Sequence, residues 1–421
     1  MDITPPRMSS LKVFGQPAEQ GRWLLIPLGM IILMCLGTVY SWSIFRTPLE
    51  NELGITATQS LLPYTFALVF YAGMMPIAGF FIPRIGTRVT TVIGGIIVGL
   101  GYILASFANQ VGMLVFTYGV IAGTGVGTAY GVPMAVASRW FPDKKGLAVG
   151  LTVLGFGLSP FVTAPLANQL INLYGVRPTL RILGIGFVVI ISVMAVTMKL
   201  PPPGWYPQGN VAASQKAATS TYPKNVLKSR SFYGLWVCYA IATVVGLSAI
   251  GISSPVGEEI IKINPTMAAN SVSLFAVFNG VSRPLFGWLS DRFKPRYVAT
   301  FSYVLILIAC IMMLNAEAGQ VGRYLVAFSL LWFCLGGWLA MAPTITLRFF
   351  DPDHYAQNYG MIFTAYGVGA LTGTLVAGRI RDVFGTYNYV FYPMIFLAIV
   401  GIIFCNFFLK RERLSVDSMT R

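Results

Sequence analysis

The chain is divided almost from end to end into apolar runs of about twenty residues, the length an α-helix needs to cross a hydrocarbon layer roughly 30 Å thick. Twelve such runs can be placed, near 23–45, 58–82, 89–108, 111–137, 146–172, 179–200, 232–256, 267–290, 297–315, 321–347, 357–379 and 387–409. Backbone polar groups find no water in lipid, so runs of this length are satisfied as helices. The expected class is an all-α membrane protein with twelve transmembrane helices. Composition agrees, since 56% of the 421 residues are hydrophobic and only 10% are charged, far from the balance of a soluble domain.

The net charge of +15 would suggest a nucleic-acid partner in a soluble protein. Here it follows the membrane instead. With both termini assigned to the cytoplasm, 21 of the 29 Lys and Arg fall in inside segments, as the positive-inside rule requires. The expected location is the inner (plasma) membrane, in contact with lipid and not with nucleic acid. Five cysteines, Cys35, Cys238, Cys310, Cys334 and Cys405, all fall inside spans without metal-ligand spacing, so they read as packing residues and no metal or cofactor is expected. The first apolar run follows a polar leader and is of full span length, which marks an anchor rather than a cleaved signal.

An internal repeat organises the spans. Gly79-Phe80-Phe81-Ile82-Pro83-Arg84-Ile85-Gly86-Thr87-Arg88 returns 208 residues later as Gly287-Trp288-Leu289-Ser290-Asp291-Arg292-Phe293-Lys294-Pro295-Arg296. Phe70 and Pro76 match Phe278 and Pro284, Arg139-Trp140-Phe141 matches Arg348-Phe349-Phe350, and Gly157 matches Gly367. Two six-span, pseudo-symmetric halves follow, 22–200 and 231–409. They are flanked by a leader (1–21) and a tail (410–421), and joined by a linker (201–230) whose prolines, Ser and Lys216, Lys224, Lys228 and Arg230 lack apolar periodicity. The leader is expected to lack regular structure, and the linker to lie in the cytoplasm. The fourth and fifth spans are rich in glycine, which predicts close helix packing.

Against this background one residue is out of place. Arg283 lies about 7 Å to the cytoplasmic side of the centre of the eighth span, where an arginine costs at least about 3 kcal/mol. All 14 acidic residues can be placed in loops or at span ends, so the sequence offers it no carboxylate partner. Asn279 precedes it by one helical turn, and together they present amide and guanidinium donors suited to a carboxylate ligand. The competing reading is an arginine that snorkels to the interface. The repeat weighs against it, because the mates of Asn279 and Arg283 are Tyr71 and Met75, so the fold does not require the charge. Tyr40 in the first span and Tyr130 in the fourth are candidates to face a polar cavity, as are Phe363 and Tyr366 in the eleventh, while Trp42 suits an interfacial aromatic belt as well as it suits the polar and aromatic cluster it shares with Tyr40. His354, the one histidine, falls in a charged loop and offers no relay within the membrane. At the outer end of the seventh span Glu258 and Glu259 are candidate coupling carboxylates. Adjacent carboxylates raise one another's pKa, although a solvated loop offset by Lys262 explains them equally well.

The two Gly-x-x-x-Asp-Arg-type loops within twelve spans resemble the major facilitator superfamily. Tyr40-Ser41-Trp42, the segment from Arg139 to Gly146, and Asn358-Tyr359-Gly360 resemble, within it, the oxalate/formate antiporter and monocarboxylate transporter family. The resemblance implies that Arg283 binds the substrate carboxylate and that Arg84, Arg88, Asp291 and Arg292 belong to a gating motif. Pro83 stands where the first copy of that motif has aspartate and Lys294 where the second has glycine, so its latch is expected to be weak in the first half. Asn279 occupies a position that is aspartate in animal monocarboxylate transporters, whose first-span lysine is absent here. Tyr366 occupies the place of the oxalate antiporter's eleventh-span lysine, which argues against a dicarboxylate. The expected function is alternating-access transport of a small monocarboxylate such as lactate, pyruvate or formate, coupled to protons, by a monomer without enzymatic activity. Anion exchange of the oxalate/formate type and a non-transporting carboxylate receptor are the alternatives.

Overall fold

The computed structural model describes residues 11–55, 57–202, 205–207, 226–351 and 354–409. The linker lysines Lys216 and Lys224, the loop residue Asp353 and the tail 410–421 lie outside the described residues. Each of the twelve expected spans falls on a helix. In order these are α1 (25–53), α2 (Ala57–Ile85), α3 (Thr87–Ala105), α4 (Val111–Trp140), α5 (Lys145–Tyr174), α6 (Val176–Ala195), α7 (Arg230–Val256), α8 (Pro265–Arg292), α9 (Pro295–Leu314), α10 (Val321–Phe349), α11 (Tyr355–Phe384) and α12 (Phe391–Phe408). Eleven of these segments are long and apolar enough to cross a membrane. The one that falls short in apolarity is α8, which carries Asn279 and Arg283. It starts where Asn264 caps it, its side chain accepting from the Met267 N–H at 2.8 Å ahead of Pro265 in the first turn. Between α2 and α3 the chain reverses through Gly86, whose φ of +84° favours glycine.

The helix pairings recur at an interval of six. α3 packs on α6 as α9 packs on α12, α2 on α4 as α8 on α10, and α1 on α5 as α7 on α11. The main crossings between these sets are α5 with α8 and α2 with α11. The first depends on glycine. A Cβ at Gly146 would lie 2.5 Å from the Gly287 carbonyl oxygen, and one at Gly150 would lie 2.6 Å from the Arg283 carbonyl oxygen. On the second, a Cβ at Gly360 would meet Pro76 Cα at 2.5 Å. These contacts bring the bundle together toward the end that carries the basic loops.

The basic end is also held by charge. Asp291, at the end of α8, accepts from the backbone N–H groups of Gly146 and Leu147 at 3.1 Å each, so a carboxylate sits on the positive N-terminus of α5. Burial pushes the Asp291 carboxyl above its ordinary value, and these two N–H groups oppose that shift. Arg348 donates to the Phe293 carbonyl at 3.0 Å, while Arg292 packs on Trp288 and Arg84 on Phe80 of their own helices. Asp291 therefore joins α8 to α5, whereas Arg84 and Arg292 are seen against neighbours on their own helices. Arg88 stands at the start of α3.

The expectation for the leader needs correction. Residues 11–21 of the leader are structured, as a short hairpin (Lys12–Val13 with Gln16–Pro17) and a helical turn. Arg22 follows and is buried, pairing with both Asp143 oxygens at 2.7 and 3.1 Å, donating to the Trp140 carbonyl at 2.9 Å and lying over Phe141. Trp205 of the linker packs on Trp140 and lies beside the same guanidinium. Composition missed the order of the leader because it is tied down by a buried long-range ion pair and not by local periodicity. Trp42, too, is no interfacial residue. It is 1% exposed, donates to the Ser60 carbonyl at 2.8 Å and lies 4.1 Å from the Tyr118 ring.

At the opposite end the helices part around a cavity of about 220 Å³, bounded by α1, α2, α7, α8 and α10 and lined by Tyr40, Trp42, Arg46, Glu50, Tyr64 and Glu258 among others. The α5–α8 crossing is the counterweight to this opening. Replacing Gly150 with valine is expected to destabilise the protein by about 1–3 kcal/mol through overpacking, read as a lower melting temperature of the purified protein in detergent. An unchanged melting temperature would show that the two helices separate without cost.

Candidate functional site

Arg283 is fully buried, with 0% of its surface exposed, so it does not snorkel. Two of its five N–H groups are held by neutral oxygens. Its Nη1 donates to the Val153 carbonyl of α5 at 2.7 Å, and its Nη2 donates to Asn279 Oδ1 at 2.9 Å. Asn279 is fixed in turn, because its Nδ2 donates to the Trp332 carbonyl of α10 at 2.9 Å. That bond orients the amide with its oxygen toward the guanidinium. Nε has no hydrogen-bond partner, and among the described residues no carboxylate lies within ion-pair distance of the guanidinium. An unneutralised cation in a low-dielectric interior is a strong attractor for an anion.

Around the arginine stands a wall of aromatic rings. The guanidinium carbon is 5.6 Å from the Phe156 ring centroid, and Tyr130 stands edge-on to Phe156 at 5.1 Å. Phe363 stacks on Tyr366 at 4.9 Å, and Tyr71 bridges the groups, 5.0 Å from Tyr130 and 4.9 Å from Phe363. Tyr40 donates to or accepts from Tyr366, hydroxyl to hydroxyl, at 2.6 Å. The phenols of Tyr40 and Tyr130 are near enough to Arg283 to interact with it electrostatically. The hydroxyls of Tyr71 and Tyr130 are buried and make no hydrogen bond.

All six expected binding residues thus meet at one place, drawn from four helices: Tyr40 from α1, Tyr130 from α4, Asn279 and Arg283 from α8, and Phe363 and Tyr366 from α11. Two further members escaped the sequence reading. Tyr71 was visible as the repeat mate of Asn279, and Phe156 lies between Gly155 and Gly157 in the glycine-rich fifth span. Gly157 itself is required by the site, since a Cβ there would fall 2.7 Å from Arg283 Nε and 2.9 Å from Asn279 Oδ1. Tyr40 belongs to both this cluster and the cavity wall, so it stands between the cavity and the arginine.

The coupling candidates lie apart from this centre and from each other. Glu258 faces the cavity and accepts from Ser254 at 3.0 Å, whereas Glu259 pairs with Arg381 at 3.3 Å and accepts from the Tyr387 N–H at 3.1 Å. Glu259 is thus held by α11 and the turn beyond it, a partner the sequence could not supply. His354 is an exposed neighbour of Asp351, 2.8 Å away, as a loop histidine should be.

The sequence profile of the Major Facilitator Superfamily matches residues 28–260 and 241–419. The chain belongs to this superfamily. It is a multi-pass membrane transporter and not an enzyme, and its relatives imply a small anion as substrate. The chain is 27% identical over 407 residues to the oxalate:formate antiporter of Oxalobacter formigenes, covering 95% of this chain and 94% of that one. It is 26% identical over 420 residues to human monocarboxylate transporter 12, covering 90% and 79%. The expected resemblance to the oxalate/formate and monocarboxylate branch of the superfamily is therefore met. Among solved structures, the transporter FucP in its outward conformation superimposes with a TM-score of 0.69 over 94% of this chain and 100% of that one, at 15% identity, a likeness of fold.

The amide at position 279 is a sensitive point. Asn279→Asp would set a carboxylate against Arg283 where a neutral oxygen now accepts at 2.9 Å. Affinity for a carboxylate ligand is expected to fall by about tenfold or more at neutral pH and to recover as the new acid is protonated. Titration of ligand binding at several pH values checks this, and a pH-independent affinity equal to that of the unmodified protein counts against Arg283 as the anion site.

Proposed function

We propose that the chain is a secondary active transporter of a small monocarboxylate of the lactate, pyruvate or formate class, coupled to protons and working as a monomer by alternating access. The halves 22–200 and 231–409 rock about the central site, exposing it first to one side and then to the other. The observation that carries this reading is Arg283, a buried guanidinium held only by neutral oxygens and faced by tyrosine hydroxyls. Its function in this reading is to receive the substrate carboxylate, with Asn279 fixing the fork and Tyr40, Tyr130 and Tyr366 completing the hydrogen bonding. Phe363 and its ring neighbours limit the size of the ligand.

The orientation follows the distribution of charge. With the basic end and both termini placed in the cytoplasm of a cell whose inner (plasma) membrane the protein spans, the cavity faces outward. Asp291 on the N-terminus of α5 then acts as the cytoplasmic latch, the other motif residues Arg84, Arg88 and Arg292 playing a smaller part.

Selection for one carboxylate rests on a single cation. Tyr366 offers a hydroxyl where a dicarboxylate site would place a second positive charge. The names of the relatives include both an oxalate:formate antiporter and monocarboxylate transporters, so exchange of the former type is the second reading. Competition distinguishes the two. Unlabelled formate, lactate and pyruvate are expected to compete for uptake better than oxalate, and dominance of oxalate would favour the exchanger.

Arg283→Lys is the central test. A point ammonium preserves the charge but not the planar fork, so uptake of the labelled acid is expected to fall by about tenfold or more in a well-expressed variant. Near-normal uptake would remove Arg283 from the binding role and this reading with it.

A further inference from the structure

The central arginine has phenols on two sides, and only one of the two sets is hydrogen-bonded within itself. Toward the cavity, Tyr40 and Tyr366 are bonded to each other. Toward the basic end, where α11 begins, Tyr355, Tyr359 and Phe363 follow one another at single turns and carry a file of rings over about 12 Å. Tyr355 stacks on Tyr359 at 5.8 Å, and Tyr359 stands edge-on to Phe363 at 5.5 Å. Tyr239 of α7 and Tyr130 of α4 reach the same Phe363 ring, at 6.1 and 5.6 Å. The two halves of the chain thus meet at these rings.

The hydroxyls of this inner set make no hydrogen bond among the described residues, although Tyr130 and Tyr239 are fully buried and Tyr359 is 1% exposed. The phenols of Tyr239 and Tyr359 are near enough to interact with each other, and Tyr239 is near enough to interact with Arg283. Trp338 of α10 lies on Tyr239 at 6.2 Å, and its indole N–H, a donor only, likewise lacks an acceptor. Buried hydroxyls are as a rule bonded, so either packing requires these phenols or another state of the protein bonds them. The repeat decides between the two. Gly360 packs on Pro76 as Gly150 packs on Pro284. At the 210-residue offset of these glycines, Tyr359 answers Val149 and Phe363 answers Val153. The same kind of crossing closes with aliphatic chains in the first half, so it does not need the hydroxyl of Tyr359. The Gly360–Pro76 contact is one residue away, and opening the basic end would part that contact and uncover the file.

Building on the proposed function, we propose that Tyr239 and Tyr359, with Tyr130, form an inner half-site that binds the substrate carboxylate when the basic end is open. Arg283 holds the anion throughout, and the hydroxyls around it change. While the cavity is open the carboxylate is bonded from the side of Tyr40 and Tyr366. When the opening changes sides these two close on each other, and the carboxylate turns to the hydroxyls of Tyr130, Tyr239 and Tyr359. The inner partners are neutral donors, which bind a monocarboxylate without a second cation to retain it. Release then runs along the file past Tyr355 to the basic end. One guanidinium thus serves two faces, and each face has its own phenols and its own affinity.

The test measures KM for labelled lactate, pyruvate and formate from each face of the full chain, in intact cells for the cavity face and in inside-out membrane vesicles for the basic face. The readout is the ratio of the basic-face KM to the cavity-face KM, which loss of expression or a general loss of packing does not move. Tyr239→Phe and Tyr359→Phe keep the rings and remove one hydroxyl each, and each is expected to raise the ratio by about three- to tenfold, the loss of one hydrogen bond. Tyr40→Phe is expected to lower the ratio, because its hydroxyl belongs to the other face. A ratio that stays the same in both Tyr239→Phe and Tyr359→Phe, or that rises in Tyr40→Phe as it does in them, overturns the proposal. Arg283→Lys is measured alongside. Its normal uptake from both faces would reject the central site and the half-site with it, whereas its failure together with an unaltered ratio in the two phenol variants rejects the inner half-site alone.

Discussion

A guanidinium buried among helices, with no carboxylate partner among the described residues, is the constraint on which this structure turns. A carbonyl and an amide oxygen hold Arg283 in place without cancelling its charge. That balance demands close approach, since the Val153 carbonyl is reached across the α5–α8 crossing, and the crossing is closed by Gly146, Gly150 and Gly157. A side chain at Gly157 would occupy the space of the guanidinium itself. The glycines of α5 thus serve packing and function with the same atoms, and the site cannot be separated from the crossing that frames it.

The same crossing sets the shape of the molecule. Toward the basic end, α5 and α8 are held by glycine contacts and by Asp291 on a helix N-terminus, an interaction of a full charge with a dipole that needs no partner side chain. Toward the other end no comparable glycine stripe joins α5 to α8 among the described residues, and the cavity opens. The buried Arg22–Asp143 pair adds a second fastening at the basic end by binding the start of the chain to the loop between α4 and α5. In the proposed cycle the α5–α8 contacts are the ones that must break when the opening changes sides, whereas the Arg22–Asp143 pair lies within the first half and moves with it.

In the proposed function, the ring of tyrosines is what lets one cation suffice. Phenols donate hydrogen bonds without adding charge, so in that reading Tyr40, Tyr130 and Tyr366 would support an anion at Arg283 without attracting a second one. Apolar ring faces make the wall around them, a lining suited to a compact ligand with one charged end. Among the described residues that line the cavity, charged groups stand farther out, at Arg46, Glu50 and Glu258, where solvent lowers the cost of holding them.

The helical spans, the internal repeat and the unusual placement of Arg283 were legible in the sequence because each rests on local or periodic information: apolar length, a 208-residue offset, and a charge where lipid disfavours one. Tyr40, Tyr130, Phe363 and Tyr366 could be named as candidates from their depth in their spans. What the sequence could not supply was any relation between helices distant in the chain. The Tyr40–Tyr366 bond spans 326 residues, the Arg22–Asp143 pair 121 and the Glu259–Arg381 pair 122. Tyr71 and Phe156 joined the site, Trp42 left the interface, and Glu258 parted from Glu259 for the same reason. Periodicity places a residue at a depth and on a face, but only the packing of one helix on another decides what that face meets.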